Sequence, residues 1–280
     1  MKWFRTTLLV IAATSNIDCS FPAMIFAAPP TAIFDSRDID ESSGIVMSRQ
    51  YPGIFWTHND SGDLPRLFAV RANGQLVAQV RVKGAKNIDW EDIANDDQGH
   101  LYICDIGNNM NRRRELTIYI IDEPNPFTET SALVTQRIDY HYPDQPRFPD
   151  LEKFNFDAEA CFWGSGSLYI LTKHRSDLHT QLYRLNLFSR ESPQTAILIA
   201  EYDIRGMVTG ADLSPDGRRL AVLTYKKIHL FDKPNDHDNY LLGRHKEINI
   251  QFGQAEGICF DGETLVITNE EGQLLRIPSN

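Results

Sequence analysis

Short apolar runs recur along the chain, and polar turn segments containing glycine separate them. In "WEDIANDDQGHLYICD", residues 90–105, two such runs flank the turn, and "VTGADLSPDGRRLAVLT", residues 208–224, repeats that order. Other segments alternate apolar and polar positions, as half-buried strands do; examples are "RLFAV", "LVAQVRV", "LTIYIID", "QLYRLNL" and "KIHLFD". No helix of consequence is predicted, so the pattern indicates an all-β fold.

The strand–turn–strand unit occurs three more times, in residues 42–60, 158–172 and 255–268. Aligned units share one equivalent position near the start of the first strand, and its spacings are 48, 68, 50 and 47 residues. A period near fifty with four strands per unit is typical of β-propellers. The equivalent residues are Ser43, Glu91, Glu159, Thr209 and Glu256.

The last unit is short, because only 24 residues follow Glu256, enough for three strands. The segment "TAIFDSR", residues 31–37, can supply the missing strand and close the ring from the N-terminal side. A sixth blade would need roughly 45 more residues. We therefore expect one domain over residues 31–280, a five-bladed β-propeller rather than a six-bladed one.

First strands line the central channel of a propeller, so the equivalent positions Ser43, Glu91, Glu159, Thr209 and Glu256 should meet at its axis. Three carboxylates there, with Asp89 and Asp157 two residues earlier on their strands, would repel one another unless neutralised. Hard oxygen ligands favour calcium, with magnesium second. Carboxyl groups of raised pKa or bonded to backbone amides are the alternative, and a metal could be catalytic or only structural.

The ends of the second strands should lie on the same face as this ring. They carry His58, Asp60 and His174, which we consider as proton-transfer groups, and basic residues such as Lys173 and Arg175 that could hold an anion. Ordinary turn and surface chemistry is the alternative for each of these residues. No nucleophile motif of known spacing accompanies them, so the sequence names no reaction.

Charge and composition narrow the possible partners. The formal net charge of −10 argues against a nucleic-acid partner, while a small anionic ligand or a cell-envelope partner remains possible for a chain expected to be monomeric. Residues 1–28 combine Lys2 and Arg5 with an apolar run and small residues, which predicts a signal peptide and a secreted or periplasmic protein. No other apolar run is long enough to span a membrane. Cys104, Cys161 and Cys259 lie in apolar runs and should be buried.

The segments "ESSGI", "DWEDIA", "DAEAC", "VTGADLSPDG" and "QAEGI", with "HNDSG" and "DIGNN", resemble a group of bacterial, exported β-propeller proteins without assigned activity. More distantly, the ring is similar to that of the calcium-activated nucleotidase (apyrase) family, five-bladed propellers with an axial calcium ion. That resemblance implies calcium ligands at Ser43, Glu91, Glu159, Thr209 and Glu256. The loops "HNDSGDLPR" and "DIGNNMNRRR" depart from that family's nucleotide-contacting segments.

Two functions follow as expectations. The first is a calcium-binding propeller that hydrolyses a phosphoester or phosphoanhydride with metal assistance, with His58, Asp60 or His174 handling protons. The second is a non-catalytic propeller that binds a glycan, a peptide or an envelope protein through the same mouth.

Overall fold

The computed structural model describes residues 25–26, 29–189, 191–234 and 237–279. Within these ranges the chain is all-β apart from one short 3-10 helix, Tyr240–Leu242. Apart from Ile25–Phe26, the predicted signal peptide lies outside the described residues. The strands, in chain order, are β1 Ile25–Phe26, β2 Ala32–Ile33, β3 Ser42–Met47, β4 Phe55–Asn59, β5 Arg66–Val70, β6 Leu76–Lys83, β7 Trp90–Asn95, β8 His100–Asp105, β9 Leu116–Asp122, β10 Ser131–His141, β11 Ala158–Gly164, β12 Ser167–Thr172, β13 Thr180–Leu185, β14 Gln194–Thr195, β15 Ile197–Tyr202, β16 Val208–Leu213, β17 Arg219–Thr224, β18 Lys227–Asp232, β19 His245–Ile250, β20 Ala255–Asp261, β21 Thr264–Asn269 and β22 Gln273–Pro278.

The strands form antiparallel meanders of four. Strands β3 to β6, β7 to β10 and β16 to β19 each run in sequence order, and β11, β12, β13 and β15 form another meander. Strands β20, β21 and β22 are completed by the N-terminal β2, whose Ala32 and Ile33 pair with Leu274 and Gln273. The segment expected to close the ring does pair with the last strand, and closure leaves fewer exposed sheet edges.

Strand β10 joins two meanders into one nine-stranded sheet. Its residues from Val134 onward pair antiparallel with β9, while Ser131 to Leu133 pair in parallel with Arg81 to Lys83 of β6. A register shift between Val134 and Gln136 interrupts the pairing with β9. The number of continuous sheets therefore differs from the number of meanders.

The first strands of the meanders lie side by side around a common axis. In the described part of the chain, β3 contacts β7, β7 contacts β11, β11 contacts β16, β16 contacts β20, and β20 contacts β3 again. An apolar cluster fills each gap between consecutive meanders, for example Trp56 and Trp90 between the first two, with Phe34, Ile45 and Cys259 between the last and the first. This radial arrangement of sheets is that of a β-propeller.

Two further expectations concern the interior and the membrane. Cys104, Cys161 and Cys259 are free thiols, and all three are buried, as predicted. Among the described residues, none of the helices has the length and apolar character that a bilayer crossing requires.

Candidate metal centre

A β-bulge interrupts the first strand of every meander at the position singled out by the repeats. In β7, Trp90 pairs with Asp105 and Asp92 pairs with Cys104, so Glu91 has no partner in the ladder. Glu159, Thr209 and Glu256 are skipped in the same way, and in β3 the residues Ser43 and Gly44 together oppose His58. A bulge bends the strand and redirects the extra side chain, so an acidic residue there does not disrupt regular pairing.

These redirected side chains converge on a small cavity at the mouth of the channel. The cavity has a volume of about 170 Å³, and six carboxylates but only two cationic side chains line it. Thr209 is buried beside the cavity without lining it. The lining residues are Ser43, Glu91, Glu159 and Glu256 of the predicted ring, with Glu41, Asp60, Asn109, Lys173, Arg175, Tyr225 and Glu270.

The two hydroxyl groups of the ring connect neighbouring first strands. Ser43 Oγ donates a hydrogen bond of 2.8 Å to the carbonyl oxygen of Glu91, and Thr209 Oγ1 donates one of 2.8 Å to that of Ala255. Each hydroxyl uses its single hydrogen in this bond, so the lone pairs of the Ser43 oxygen, which lines the cavity, can face a cation.

Carboxylate oxygens crowd around Glu91. Oxygens of Asp60, Asp89 and Glu91 lie within 4.8 Å of one another, and so do those of Glu91, Asp157 and Glu159. Burial raises the pKa of Glu91 well above its usual value, and the nearby carboxylate of Glu159 adds to the shift. Burial also raises the pKa of Asp89 to about 6 and, despite the opposing effect of Lys173, that of Glu256 to about 7.

Two basic residues neutralise one side of the cavity. Lys173 Nζ lies 2.9 Å from Glu159 Oε1 and 2.9 Å from the hydroxyl oxygen of Tyr225. Burial disfavours the Lys173 ammonium, but the carboxylates of Glu159 and Glu256 together with Tyr225 outweigh burial and raise the Lys173 pKa. Arg175 Nη2 lies 2.8 Å from Asp157 Oδ2 and 3.4 Å from Glu159 Oε1. The predicted ring therefore includes one glutamate, Glu159, that the protein already pairs with its own cations.

The other side of the cavity has no such pairing. Within the described residues, none of the carboxylates of Asp60, Asp89 and Glu91 forms a salt bridge with a basic side chain, whereas Glu159 and Asp157 do. Crowded carboxylates without a counter-ion suit a hard divalent cation, which supplies the missing positive charge through oxygen ligands. The donor set therefore fits calcium, or magnesium as the second choice, better on the Glu91 side than on the Glu159 side.

The three predicted proton-transfer residues occupy different surroundings. Asp60 lines the cavity, and burial raises its pKa. His58 is fully buried edge-on against Trp90, with ring centroids 5.6 Å apart, and burial lowers its pKa to about 4. His174 is buried with Nδ1 2.9 Å from Asp177 Oδ1, and burial lowers its pKa. Neither imidazole lines the cavity, so of the three only Asp60 is placed to act there.

Asp92, the residue after Glu91, crosses the channel beneath the cavity. Its Oδ1 accepts a hydrogen bond from the backbone N–H of Ile93, and its Oδ2 accepts bonds from those of Cys161 at 2.8 Å and Ala211 at 3.4 Å. The carboxylate thus links β7 to β11 and β16. Strict alternation predicts that Asp92 faces away from the axis, but the bulge at Glu91 breaks that alternation.

The sequence contains a signal for the bulges, one residue after each ring position. The residue after the ring position is small in four units, Gly44, Ala160, Gly210 and Gly257, and Asp92 replaces it in the fifth. A β-carbon on Gly257 would lie 2.5 Å from Thr268 Oγ1 and 3.0 Å from the carbonyl oxygen of Ser43. Close approach of neighbouring strands therefore favours glycine at position 257, whereas Asp92 occupies the equivalent place in β7.

Comparisons with known proteins give fold-level similarity. No protein-family model matches the sequence, and no curated protein matches it. Solved structures that are similar include hydrazine synthase from Kuenenia stuttgartiensis (10% identity, 85% of this chain and 71% of that chain, TM-score 0.45) and virginiamycin B lyase from Staphylococcus aureus (15%, 87% and 67%, 0.43). A β-propeller domain from Myceliophteria thermophila is also similar (9%, 86% and 97%, 0.45). Similarity at this level does not bear on the chemistry of the cavity.

Proposed function

We propose that the protein is a five-bladed propeller that binds a divalent cation, calcium by its ligand chemistry, in the cavity at the mouth of its channel. The observation that supports the proposal is the carboxylate cluster of Asp60, Asp89 and Glu91, which has no salt bridge to a basic side chain among the described residues. The Ser43 hydroxyl and the Glu256 carboxylate line the same cavity as Glu91. Five bulged first strands in a closed circuit support the blade count. Of the other two ring residues, Thr209 links neighbouring first strands through its hydrogen bond to Ala255, and Glu159 pairs with Lys173.

Calcium titration by calorimetry tests the cation site. We expect one calcium ion to bind per chain, and Glu91→Gln to abolish this binding because Glu91 belongs to both carboxylate groups. Glu263→Gln, an exposed acid outside the cavity, is the matched control and should bind as the unaltered protein does. Absence of a calcium isotherm in the unaltered protein, together with no calcium-dependent rise in melting temperature, would refute the site.

A more specific version of this proposal is that the protein hydrolyses phosphoesters or phosphoanhydrides. A bound calcium ion would supply Lewis-acid polarisation of a phosphoryl oxygen. Asp60 would accept a proton in this reaction, and Lys173 and Arg175, which line the same cavity, would hold an anionic group of the substrate. Nucleoside diphosphates and aryl phosphates are the substrates to assay, with Asp60→Asn expected to remove any turnover while retaining part of the calcium binding.

Non-catalytic binding of a glycan, a peptide or an envelope protein is the second candidate. An open cleft of about 950 Å³, lined by Tyr225, Lys226 and residues 249–254, shares Tyr225 with the axial cavity. A cleft of this size beside a cation site could hold an extended ligand. Two results together would favour this function over hydrolysis. The protein would bind calcium but turn over no phosphate substrate, and it would bind a glycan or peptide array in a way that Tyr225→Ala abolishes.

The predicted location is secreted or periplasmic, and the basis is the signal-like sequence of residues 1–28. Fractionation of expressing bacteria and N-terminal sequencing of the mature protein test it. A cytoplasmic product that keeps Met1 would contradict it.

A further inference from the structure

A second group of metal-ligating side chains lies far out on the meander of β16 to β19. In the antiparallel pair of β18 and β19, His229 is directly opposite Glu247, and His245 is opposite Phe231. His245 and Glu247 are two residues apart, so their side chains lie on one face of the sheet with that of His229. The register therefore brings two imidazoles and one carboxylate together.

The three potential ligand atoms have the spacing of a small cation site. His229 Nδ1 lies 3.0 Å from His245 Nε2 and 3.9 Å from Glu247 Oε1, and the three atoms lie within 4.8 Å of one another. Zinc bonds to nitrogen and oxygen of about 2.0–2.2 Å place tetrahedral ligands roughly 3.3 Å apart. The 3.0 Å separation is also a hydrogen-bond distance between two nearly parallel rings, so a bound ion would replace this hydrogen bond and rotate the imidazoles toward it.

Surrounding groups hold His245 in place. Its Nδ1 lies 3.2 Å from the hydroxyl oxygen of Tyr202, the last residue of β15, and its ring stacks on Phe231 with centroids 4.5 Å apart. When Nδ1–H donates to Tyr202, the lone pair of His245 is on Nε2, the nitrogen that faces His229. Such hydrogen bonds from the second ring nitrogen orient histidine ligands in metal sites.

The carboxylate of Glu247 has a hydrogen-bond partner on its far side. Lys227 Nζ donates a hydrogen bond of 2.5 Å to Glu247 Oε2. Lys227 uses one carboxylate oxygen, and the other lies toward His229.

We propose that His229, His245 and Glu247 form a site for a zinc-class transition-metal ion, with a fourth position open to solvent. Imidazole nitrogen with one carboxylate oxygen suits zinc, copper or nickel, whereas calcium prefers an all-oxygen shell. The site is independent of the axial cavity, since it shares no residue with it. A metal here would join the two outer strands of one meander beside Tyr202 of the preceding one.

Titration of the full chain with zinc chloride, after treatment with a chelator, tests the site. We expect one zinc ion to bind per chain, and His245→Gln and Glu247→Gln each to remove it without loss of folding, because both side chains are partly exposed. Cobalt substitution supplies a spectroscopic readout, the visible absorption of four-coordinate Co²⁺, which should vanish in His245→Gln. Glu91→Gln and excess calcium should leave zinc binding unchanged.

Two further variants separate a built site from adventitious binding by surface histidines. Tyr202→Phe should weaken zinc affinity by about 10–100-fold, since it removes the partner that orients His245. His179→Gln is the matched control, because His179 also contacts two carboxylates, but through opposite ring nitrogens. No zinc isotherm in the unaltered protein, or a loss in His179→Gln equal to that in His245→Gln, would overturn the proposal.

Discussion

The buried carboxyl groups of the axial cavity make the stability of the folded protein depend on pH and on a bound metal ion. Burial raises the folded-state pKa of Glu256 to about 7, above the ordinary value of 4.5. Between these values the folded protein binds the Glu256 proton and the unfolded chain does not, so this group's contribution to stability falls as pH rises. A bound cation would offset that loss, because it favours the ionised form.

We therefore predict that Glu256→Gln changes stability in a pH-dependent direction. In chelator, the variant should match the unaltered protein near pH 4.5 and exceed its free energy of unfolding by on the order of 1–3 kcal/mol at pH 8. Buried His58 and His229 titrate with the opposite sign, but both are present in each protein and cancel in the comparison. Urea unfolding at several pH values measures the difference.

Calcium should reverse this order. At pH 8 with saturating calcium, bound calcium stabilises the unaltered protein more than it stabilises Glu256→Gln, because the variant has lost one ligand. The variant should then be the less stable of the two proteins. A stability difference that does not vary with either pH or calcium would contradict the role of Glu256 at the cavity.

At the same scale, residue types alone could not separate the proton-transfer candidates. His58, Asp60 and His174 all lie at or just beyond the ends of second strands. Only the structure shows that His58 packs against Trp90 and that His174 pairs with Asp177, away from the cavity. Lys173 was expected near the mouth, but its partner Glu159 could not be chosen from among several acids. Side-chain pairing depends on directions that a linear pattern does not contain.

At the scale of elements, the repeats predicted which strand positions are equivalent but not how those positions are made. The predicted pairs of strands exist, from β3 and β4 through to β20 and β21. The bulge in each first strand was not predicted, because period-two alternation assumes unbroken pairing. The same assumption placed Asp92 on the wrong side of its strand, whereas its carboxylate bonds to Cys161 and Ala211 across the channel.

The close contacts around Gly257 predict that a glycine is needed there for packing. Gly257→Ala should lower the free energy of unfolding by about 1–3 kcal/mol, because the added methyl group would crowd Thr268 and the backbone of Ser43. Ala160 already occupies the equivalent place in β11, so Ala160→Gly is the matched control, with a cost of about 0.5–1 kcal/mol. Chemical denaturation compares the two, and equal stabilities for Gly257→Ala and the unaltered protein would contradict the close approach.

For the whole molecule, the decisive feature is that the ring of meanders closes through non-covalent contacts between distant parts of the chain. Strand β2 pairs with β22, and the amide of Thr31 donates a hydrogen bond of 2.7 Å to the carbonyl of Leu274. Phe34 and Ile39 fill the apolar cluster between the last meander and the first. Closure therefore depends on a short N-terminal segment rather than on a covalent link.

Deletion of residues 1–40 should open the ring and weaken the cation site together. It removes β2 and exposes the apolar cluster that Phe34 and Ile39 cover, each worth about 1.5–3 kcal/mol when fully buried. Ser43 and Glu256 lie on the first and last meanders, at the two sides of this closure, so loosening it separates cation ligands that must converge. We expect a stability loss of several kcal/mol and weaker calcium binding, measured by urea unfolding and calorimetry. Deletion of residues 1–28 alone is the control and retains β2; a longer deletion that left both properties unchanged would show that the ring does not depend on this closure.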